Sequence, residues 1–553
     1  MATATFNEKD PFVTIRGDRH SEVARTLAEP VPQALSLLDQ FGLWGNLGVS
    51  LLGFTGAIFV LQPGGAGTPE LSLAAALTAI VTGTVLGTVA LALAGLPGAS
   101  TGAPAMVLLR GLFGARLSYL PTVLNILQCL GWGIFELVTI ATAAHTVAPA
   151  LPRPGYVLIA GVATALLTIR PLGAIRVLRR YATGAVLVVL CYLFVQLIRL
   201  PLPGFTHGTW SGYWAATDTV VAVAVSFAPL AADYTRHSRS PRAAFAGVLT
   251  GYSLTQVLCY VIGLLTLVTV AHNPDDIYGA FIALPLGALG FAVLAARELD
   301  QSFANVYSTA VSTQNLRPLW DRRILAGVIA ALTTAGALCL NIADYQDFLD
   351  LIGSVFVPMS AVLITDYFVT SKGRWDLSAA ARSRWLMLVP WAAGFVTYQL
   401  INPGYVSWWA SAWTSMGHAI GFTPASWMSA SILSFGVAAV ITLLTGALSR
   451  GSGAGCGRGR AGPGGPGADR VVGVAEADGG QVHAPAGQVS GRGVAHLGGE
   501  AAGEHSAGDA DGRRQGGDGP VPAGLGVQDG QGGAGHRGPL AGRISARLSR
   551  RSR

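Results

Sequence analysis

Long apolar stretches recur along the chain from Leu35 to Leu448. Most run for roughly twenty residues, the length that an α-helix needs to cross a hydrocarbon core about 30 Å thick. The pattern predicts an all-α polytopic membrane protein with about twelve transmembrane helices. The predicted helices are 35–61, 70–97, 118–149, 155–170, 181–201, 215–233, 243–272, 280–313, 324–342, 347–370, 385–402 and 423–448.

The composition agrees with a protein that is embedded in lipid. Apolar residues make up 51% of the chain and charged residues 12%, against roughly 25% charged residues in soluble domains. The net charge of +7 does not indicate a nucleic-acid partner, because the basic residues lie in short loops rather than on one face. The lipid bilayer is the expected partner instead.

Basic residues are concentrated in alternate loops, which predicts the orientation of the chain. One set of loops carries Arg110 and Arg116; Arg170, Arg176, Arg179 and Arg180; Arg236, Arg239 and Arg242; Arg317, Arg322 and Arg323; and Lys372, Arg374, Arg382 and Arg384. The other loops offer Arg153 and Arg199. Positively charged loops stay in the cytoplasm. We therefore expect a multi-pass protein of the plasma (inner) membrane with both termini cytoplasmic, residues 1–34 forming the N-terminal tail.

The predicted helices divide into two similar halves. Residues 35–201 and 215–370 each hold five predicted helices. An odd number of crossings inverts one half relative to the other, so the pattern predicts an inverted repeat. Two additional helices follow within 385–448.

Helix-weakening residues interrupt the first predicted helix of each half. The first helix contains Gly45, Gly48 and Gly53, and the sixth contains Pro229. Interrupted helices at corresponding positions indicate a binding site near the middle of the membrane. The alternative is that these residues only reflect how common glycine and proline are in membrane helices.

The composition changes abruptly in the segment 451–553. The segment is rich in Gly, Ala and Arg and contains no Lys, Asn, Phe, Tyr, Trp, Met or Thr. Such a sequence cannot form a packed core. It is either a disordered tail or the product of a frameshift in GC-rich DNA.

Five ionisable residues within the predicted helices are candidates for function, because a charge inside a membrane is costly. They are Glu136, Asp233, Arg297, Glu298 and Asp300. Asp233 ends the sixth helix, where a structural role at the interface is expected. Arg297 and Asp300 are three residues apart and could pair on one helix face. Asp300 could otherwise bind a cation or carry a proton.

A polar and aromatic stripe runs along the third predicted helix. Gln128, Trp132 and Glu136 are spaced four residues apart and share one face. A flat ring could stack on the Trp132 indole while the Glu136 carboxylate accepts its N–H groups. Alternatively, Trp132 packs against a neighbouring side chain and Glu136 pairs with Arg297.

Motifs for enzymes and cofactors are missing from the sequence. There is no nucleophile elbow, zinc motif or nucleotide-binding loop, and Cys129, Cys191, Cys259 and Cys339 lie singly in apolar stretches. We therefore expect neither an enzyme nor a bound cofactor. A membrane enzyme would need a His, Asp or Cys cluster, and a channel would need a continuous polar stripe along several helices.

Several short motifs, taken in order, resemble the nucleobase:cation symporters, also called the purine/cytosine permeases. The motifs are E-P-V-P at 29–32, F-G-L-W at 41–44, R-G-L-F-G at 110–114, G-W at 131–132, A-A-D-Y-T-R at 231–236, A-N-V-Y-S at 304–308 and T-D-Y-F at 365–368. The resemblance covers about residues 25 to 448. It implies a ten-helix, leucine-transporter-like core with an inverted repeat, followed by two additional helices.

The resemblance also implies import of a flat heterocycle by cation symport with alternating access. Cytosine, a purine, uracil, hydantoin, allantoin and a thiamine-precursor pyrimidine all remain open as substrates. A permease for amino acids or other small solutes with the same fold is the alternative.

Positions in this sequence that match the ring-binding residues of the family can be named. The resemblance implies that the ring lies between Trp132 and Phe227 and that Glu136 contacts it. It further implies roles for Ser226, which precedes the aromatic residue, and for Asn305, which pairs with the base.

The implied cation site departs from that of sodium-coupled relatives. Those relatives use carbonyl groups of the broken first helix and two adjacent hydroxyl groups, where this chain has Leu299 and Asp300. We expect Asp300 and Asn46 to take part in cation binding or coupling, with either a proton or sodium as the ion. Gly48 and Ser50 of the first helix are further expected substrate contacts.

Overall fold

The computed structural model describes residues 33–64, 68–169, 173–271, 277–340, 345–404 and 406–453. Nearly all of the predicted tail 1–34 and of the segment 451–553 lies outside the described residues. The described residues form helices α1 (Leu37–Gly48), α2 (Leu51–Leu61), α3 (Leu73–Thr101), α4 (Ala105–Phe113), α5 (Tyr119–Val147), α6 (Arg153–Ile169), α7 (Gly173–Ile198), α8 (Tyr213–Ser226), α9 (Ala231–Thr235), α10 (Pro241–Thr269), α11 (Ile277–Ala283), α12 (Gly287–Arg297), α13 (Leu299–Leu316), α14 (Arg322–Cys339), α15 (Tyr345–Thr365), α16 (Leu388–Ile401), α17 (Ser407–Ala419) and α18 (Ala430–Gly453).

Eleven apolar segments agree with the predicted membrane spans. Six are long helical segments, one is the bent pair α1 and α2, and four are shorter apolar helices of 10–17 residues. The predicted eighth span, which contains α12 and α13, is not among them. Its polar sequence from Arg297 to Gln301 explains the difference. These segments are consistent with twelve spans, although the exact count stays a prediction.

Both halves begin with an interrupted helix, as the sequence predicts. Helices α1 and α2 meet at an angle of 59°, and Ser50 caps the N-terminus of α2 through its side chain. In the second half α8 ends at Ser226, and a 3-10 turn at Ala228–Leu230 leads into α9. Pro229 lies in this turn and has no N–H group to continue an α-helix.

Several predictions about the extent and number of the helices are wrong. The predicted helix 280–313 is divided into α11, α12 and α13, because Leu286 adopts a left-handed conformation with φ of 52° and Glu298 ends α12 and begins α13. The last helix begins at Ala430 rather than at 423. Helices α4 and α17 were not predicted, because one is short and the other is rich in Trp and Ser.

Packing between helices repeats from one half to the other. Helix α1 packs along α10, and correspondingly α8 and α9 pack along α3. Helix α5 contacts α6 and α14, and correspondingly α13 contacts α14 and α6. The pairs α3–α10 and α5–α13 join the two halves. This exchange of partners is what an inverted repeat requires, and the predicted fold class is confirmed.

An ion pair between Asp366 and Arg384 stabilises the segment that follows α15. Asp366 accepts two hydrogen bonds of 2.8 Å from the guanidinium of Arg384. It also accepts hydrogen bonds from Trp375 Nε1 at 2.8 Å and from Ser371 Oγ at 2.9 Å. Arg384 in turn donates to the carbonyl of Gly111 in α4. The Arg384 side chain therefore connects Asp366, the residue after α15, to α4.

We expect Asp366→Ala to destabilise the folded protein by about 2 kcal/mol or more, because charged hydrogen bonds are worth about 1.5–3 kcal/mol each. The measurement is thermal unfolding of the purified protein. Asp376→Ala is the matched control, since Asp376 is exposed and exposed substitutions change stability by about 0.5 kcal/mol or less. Equal melting temperatures for the two variants would contradict the structural role of Asp366.

The segment 451–553, which includes the last three residues of α18, is expected to be dispensable. Its composition offers almost nothing with which to pack against the helices. A chain ending at Arg450 should therefore take up its substrate at the full-length rate. Uptake would be compared at equal abundance in the membrane, and a lower rate for the shortened chain would show that the tail takes part.

Candidate functional site

A small cavity, the central cavity, lies where the broken helices α1–α2 and α8–α9 approach α5, α10, α13 and α15. Its walls are formed by Leu47, Gly48, Ser50, Leu52, Gly53, Trp132, Glu136, Val223, Phe227, Tyr252, Gln256, Cys259, Tyr260, Gln301 and Tyr345. About 20 Å³ of space remains among them. This volume is enough for roughly one water molecule. The central cavity is therefore too small for a heterocycle in this conformation.

Gly48 allows the broken first helix to lie directly against α10. A Cβ atom at this position would be 2.3 Å from Thr255 Oγ1 and 2.9 Å from the carbonyl oxygen of Tyr252. Both distances are well inside van der Waals contact. The absence of a side chain therefore sets how closely the wall of the cavity can approach α10.

Two aromatic rings of the central cavity lie close to each other. The ring centroids of Trp132 and Phe227 are 6.5 Å apart, and their planes are tilted by 35°. A flat ring in contact with both would need a separation of roughly 7 Å, because carbon atoms in contact lie about 3.5 Å apart. A small opening and a levelling of the two planes would thus create a slot for a flat ring.

Polar atoms without partners gather around the same space. Among the described residues, six buried polar atoms of the cavity wall have no hydrogen-bond partner: Trp132 Nε1, Glu136 Oε2, Gln256 Oε1, Tyr260 OH, Gln301 Oε1 and Tyr345 OH. Buried polar groups are nearly always hydrogen-bonded in folded proteins. These atoms offer both donors and acceptors to a ligand in the central cavity.

The residues expected to bind substrate fall into two groups. Trp132, Glu136, Phe227, Gly48 and Ser50 all line the central cavity. The other two, Ser226 and Asn305, are buried but are not among the lining residues. The Ser226 hydroxyl donates back to the carbonyl of Val223 at 2.7 Å.

Residues 41–386 match the model of a protein family that is described as permeases for cytosine/purines, uracil, thiamine and allantoin. The chain belongs to this family. The match contains most of the motifs that suggested the resemblance, and that resemblance is confirmed. The E-P-V-P motif lies outside both the match and the described residues. As a member of this permease family, the chain is a multi-pass membrane transporter rather than an enzyme.

Three named relatives belong to the same group. A putative purine-cytosine permease of Bacillus subtilis, YxlA, is 25% identical over 369 residues, which are 62% of this chain and 78% of the relative. The purine-cytosine permease FCY21 of Saccharomyces cerevisiae is 25% identical over 371 residues, with coverages of 60% and 68%. The purine-cytosine permease fcyB of Emericella nidulans is 24% identical over 298 residues, with coverages of 48% and 58%.

Solved structures show the same fold. Mhp1, a nucleobase-cation-symport-1 family transporter, in a closed conformation with bromovinylhydantoin bound, gives a TM-score of 0.60 at 17% identity. The match covers 78% of this chain and 96% of Mhp1. The inward-facing conformation of Mhp1 gives a TM-score of 0.59 at 16% identity. At this identity the likeness concerns the fold alone.

The residues expected to handle the cation meet at the break in the first helix of this permease. Asn46 Nδ2 donates to Asp300 Oδ2 at 3.1 Å, and Arg297 Nε donates to Asn46 Oδ1 at 3.3 Å. Arg297 forms an ion pair with Glu298, with 3.3 Å between Nη1 and Oε2. Asn46 therefore links Asp300 to Arg297. Glu136 lies close enough to interact with the charges of Glu298 and Arg297.

Asp233 is buried and contacts the start of α4. Its Oδ1 accepts a hydrogen bond of 2.9 Å from the backbone N–H of Ala105, the first residue of α4. A carboxylate at the N-terminus of a helix is electrostatically favourable. Asp233 therefore joins α9 to α4 and is not part of the central cavity.

Sequence reasoning missed several residues of the central cavity in this permease. Gln301 and Gln256 contribute amide oxygens, and Tyr260 and Tyr345 contribute hydroxyl groups. Gln301 could have been found, because it lies four residues before Asn305 on the same face of α13. The three other side chains carry no charge and match no motif, so no comparable signal marks them in the sequence.

A second, larger cavity lies on the other side of an aromatic wall. It has a volume of about 350 Å³ and is lined in part by Asp347, Phe348, Asp350, Trp408 and Trp409. Phe348 also packs edge-on against Trp132, with 5.5 Å between the ring centroids. Phe348 therefore contacts both the central site and the second cavity.

Proposed function

We propose that this permease imports a nucleobase or a related flat heterocycle by cation symport with alternating access. The observation that carries the proposal is the meeting of two neighbouring aromatic rings with six unpartnered polar atoms at the break of two helices. Membership of the permease family supports it, as do relatives that are named purine-cytosine permeases.

In the proposed complex the ring lies between the Trp132 indole and the Phe227 phenyl group. N–H groups on its edge donate to the Glu136 carboxylate and to the amide oxygen of Gln301, while tyrosine hydroxyl groups can donate to its carbonyl oxygens. Stacking accepts any flat ring, so the edge contacts select among heterocycles. Ser226 and Asn305 would reach the ligand only after a rearrangement of α8 and α13.

The described conformation has room for about one water molecule and not for a heterocycle. Binding therefore requires the cavity to open. We propose that the ligand approaches through the second cavity and that displacement of Phe348 admits it. The contact between Phe348 and Trp132 would then close behind the bound ring.

Asp300 and Asn46 are the proposed coupling residues. One coupled cation supplies about 2.3 kcal/mol per 100 mV of membrane potential. Since about 1.4 kcal/mol corresponds to a factor of ten, the membrane potential alone could concentrate a neutral substrate about forty-fold. Replacement of sodium at fixed pH, compared with a protonophore in sodium-free buffer, distinguishes the two candidate ions.

Uptake of a radiolabelled panel tests the proposed function. The full chain is produced in cells that lack their own nucleobase permeases, and cytosine, uracil, purines, hydantoin and allantoin are supplied one at a time. We expect at least one heterocycle to accumulate above its external concentration and to be displaced by other flat rings. Accumulation of amino acids, with no heterocycle carried, would favour the alternative permease class.

A further inference from the structure

The break in the first helix leaves backbone groups that need partners within the membrane. Unpaired carbonyl and N–H groups in a membrane cost several kcal/mol each. The carbonyl of Val49 accepts from Arg297 Nη1 and, at 3.1 Å, from Gln301 Nε2. Gln301 Nε2 also donates to the carbonyl of Leu47. Donors from the second half of the chain thus satisfy the carbonyl end of α1.

The opposite end of the break is satisfied by a group of opposite charge. Glu298 Oε1 accepts from the backbone N–H of Leu51 at 2.9 Å and from Ser50 Oγ at 2.7 Å. The C-terminus of a helix carries partial negative charge and the N-terminus partial positive charge. The guanidinium of Arg297 at the end of α1 and the carboxylate of Glu298 at the start of α2 match these signs.

The two charged side chains are fully enclosed. Each is 1% exposed, and they form an ion pair of 3.3 Å with each other. The Arg297 guanidinium also contacts Asn46 Oδ1 at 3.3 Å. A fixed positive charge therefore lies among the oxygen atoms at the end of α1.

In transporters with broken helices, unwound carbonyl groups and the C-terminal ends of half-helices are the groups that coordinate sodium. In this chain the carbonyl oxygen of Val49 and the side-chain oxygen of Asn46 already accept hydrogen bonds from Arg297. We propose that the Arg297 guanidinium is a built-in cation at the break of the first helix and that sodium does not bind there. The meaning of this proposal for transport rests on the proposed symport. The sodium-binding experiment below does not depend on symport.

Binding of radioactive sodium to the purified full-length protein tests the proposal. Sodium is titrated at constant ionic strength with choline as the replacement ion. We expect no saturable binding by the unchanged protein. Arg297→Ala removes the guanidinium and leaves Glu298, Asp300 and the carbonyl oxygens, so this variant should gain saturable sodium binding of about one ion per chain.

Arg322→Ala is the matched control, because Arg322 is equally buried but donates to the carbonyl of Thr168 in α6. It should not gain sodium binding. Saturable binding by the unchanged protein would overturn the proposal, and so would a folded, monodisperse Arg297→Ala protein that binds no sodium. If Arg297→Ala does not fold, Arg297→Gln takes its place, because it removes the charge and keeps a hydrogen-bond donor, and the same gain of sodium binding is expected.

Transport separates this proposal from the proposed function. A heterocycle that enters at the same rate in sodium and in choline buffer agrees with both. A heterocycle that enters only with sodium, together with saturable sodium binding, keeps the proposed function and overturns the role of Arg297. If no heterocycle is carried, the proposed function fails, and the binding measurements still decide whether Arg297 excludes sodium.

Discussion

Trp132→Ala and Phe227→Ala should each weaken binding of the transported heterocycle by about 5- to 150-fold. Stacking of a base on an aromatic side chain is worth about 1–3 kcal/mol, and about 1.4 kcal/mol corresponds to a factor of ten. The two ring centroids are 6.5 Å apart, so each variant removes one side of the slot. The measurement is equilibrium binding to purified protein, with the heterocycle that the uptake panel identifies.

Trp391→Ala is the matched control for the loss of a buried indole. Trp391 is 7% exposed and Trp132 is 5% exposed, but Trp391 packs against Phe113 away from the central cavity. Trp132→Phe keeps a ring and should retain most of the affinity. If both alanine variants bind with the affinity of the unchanged protein, the stacking arrangement is wrong.

Asp300→Asn should abolish concentrative uptake while leaving exchange of internal for external substrate partly intact. The carboxylate lies in the network that joins the first-helix break to α13, through its contact with Asn46 Nδ2. The proposed ring contacts of Trp132 and Phe227 do not involve Asp300. The accumulation ratio should therefore fall from about forty-fold at 100 mV towards one.

Asp300→Asn should not remove the charged contact of the neighbouring Arg297. Arg297 has an ion pair with Glu298, which Asp300→Asn leaves in place, so the variant is expected to reach the membrane in normal amounts. Asp376→Asn is the control, since Asp376 is exposed and lines neither cavity, and it should keep the unchanged accumulation ratio. Accumulation by Asp300→Asn at the unchanged ratio would exclude a coupling role.

The sequence predicts most of the fold because membrane spans require long apolar stretches. The interruptions at Gly48 and Pro229 could also be predicted, since each residue weakens a helix locally. The division between α12 and α13 could not. The sequence around Arg297 and Glu298 is typical of a continuous helix. Their partners at the break of the first helix, Asn46 and the backbone N–H of Leu51, lie about 250 residues earlier in the chain.

The candidate site could be predicted only where a side chain has a distinctive chemistry. Trp132 and Glu136 are conspicuous in an apolar helix, and both line the central cavity. The spacing of Arg297 and Asp300 suggested that they pair with each other, but the structure shows ion pairing of Arg297 with Glu298 and a hydrogen bond from Asn46 to Asp300. A long-range partner such as Asn46 leaves no mark in the spacing of one helix.

The central claim is that a flat heterocycle binds between α5 and the break of α8–α9. An experimental structure with the transported heterocycle bound tests it most directly. The account predicts density for the ring between the Trp132 indole and the Phe227 phenyl group, with one edge facing Glu136 and Gln301. Density for the ring elsewhere in the protein at saturating substrate, with no contact to Trp132 or Phe227, would contradict it.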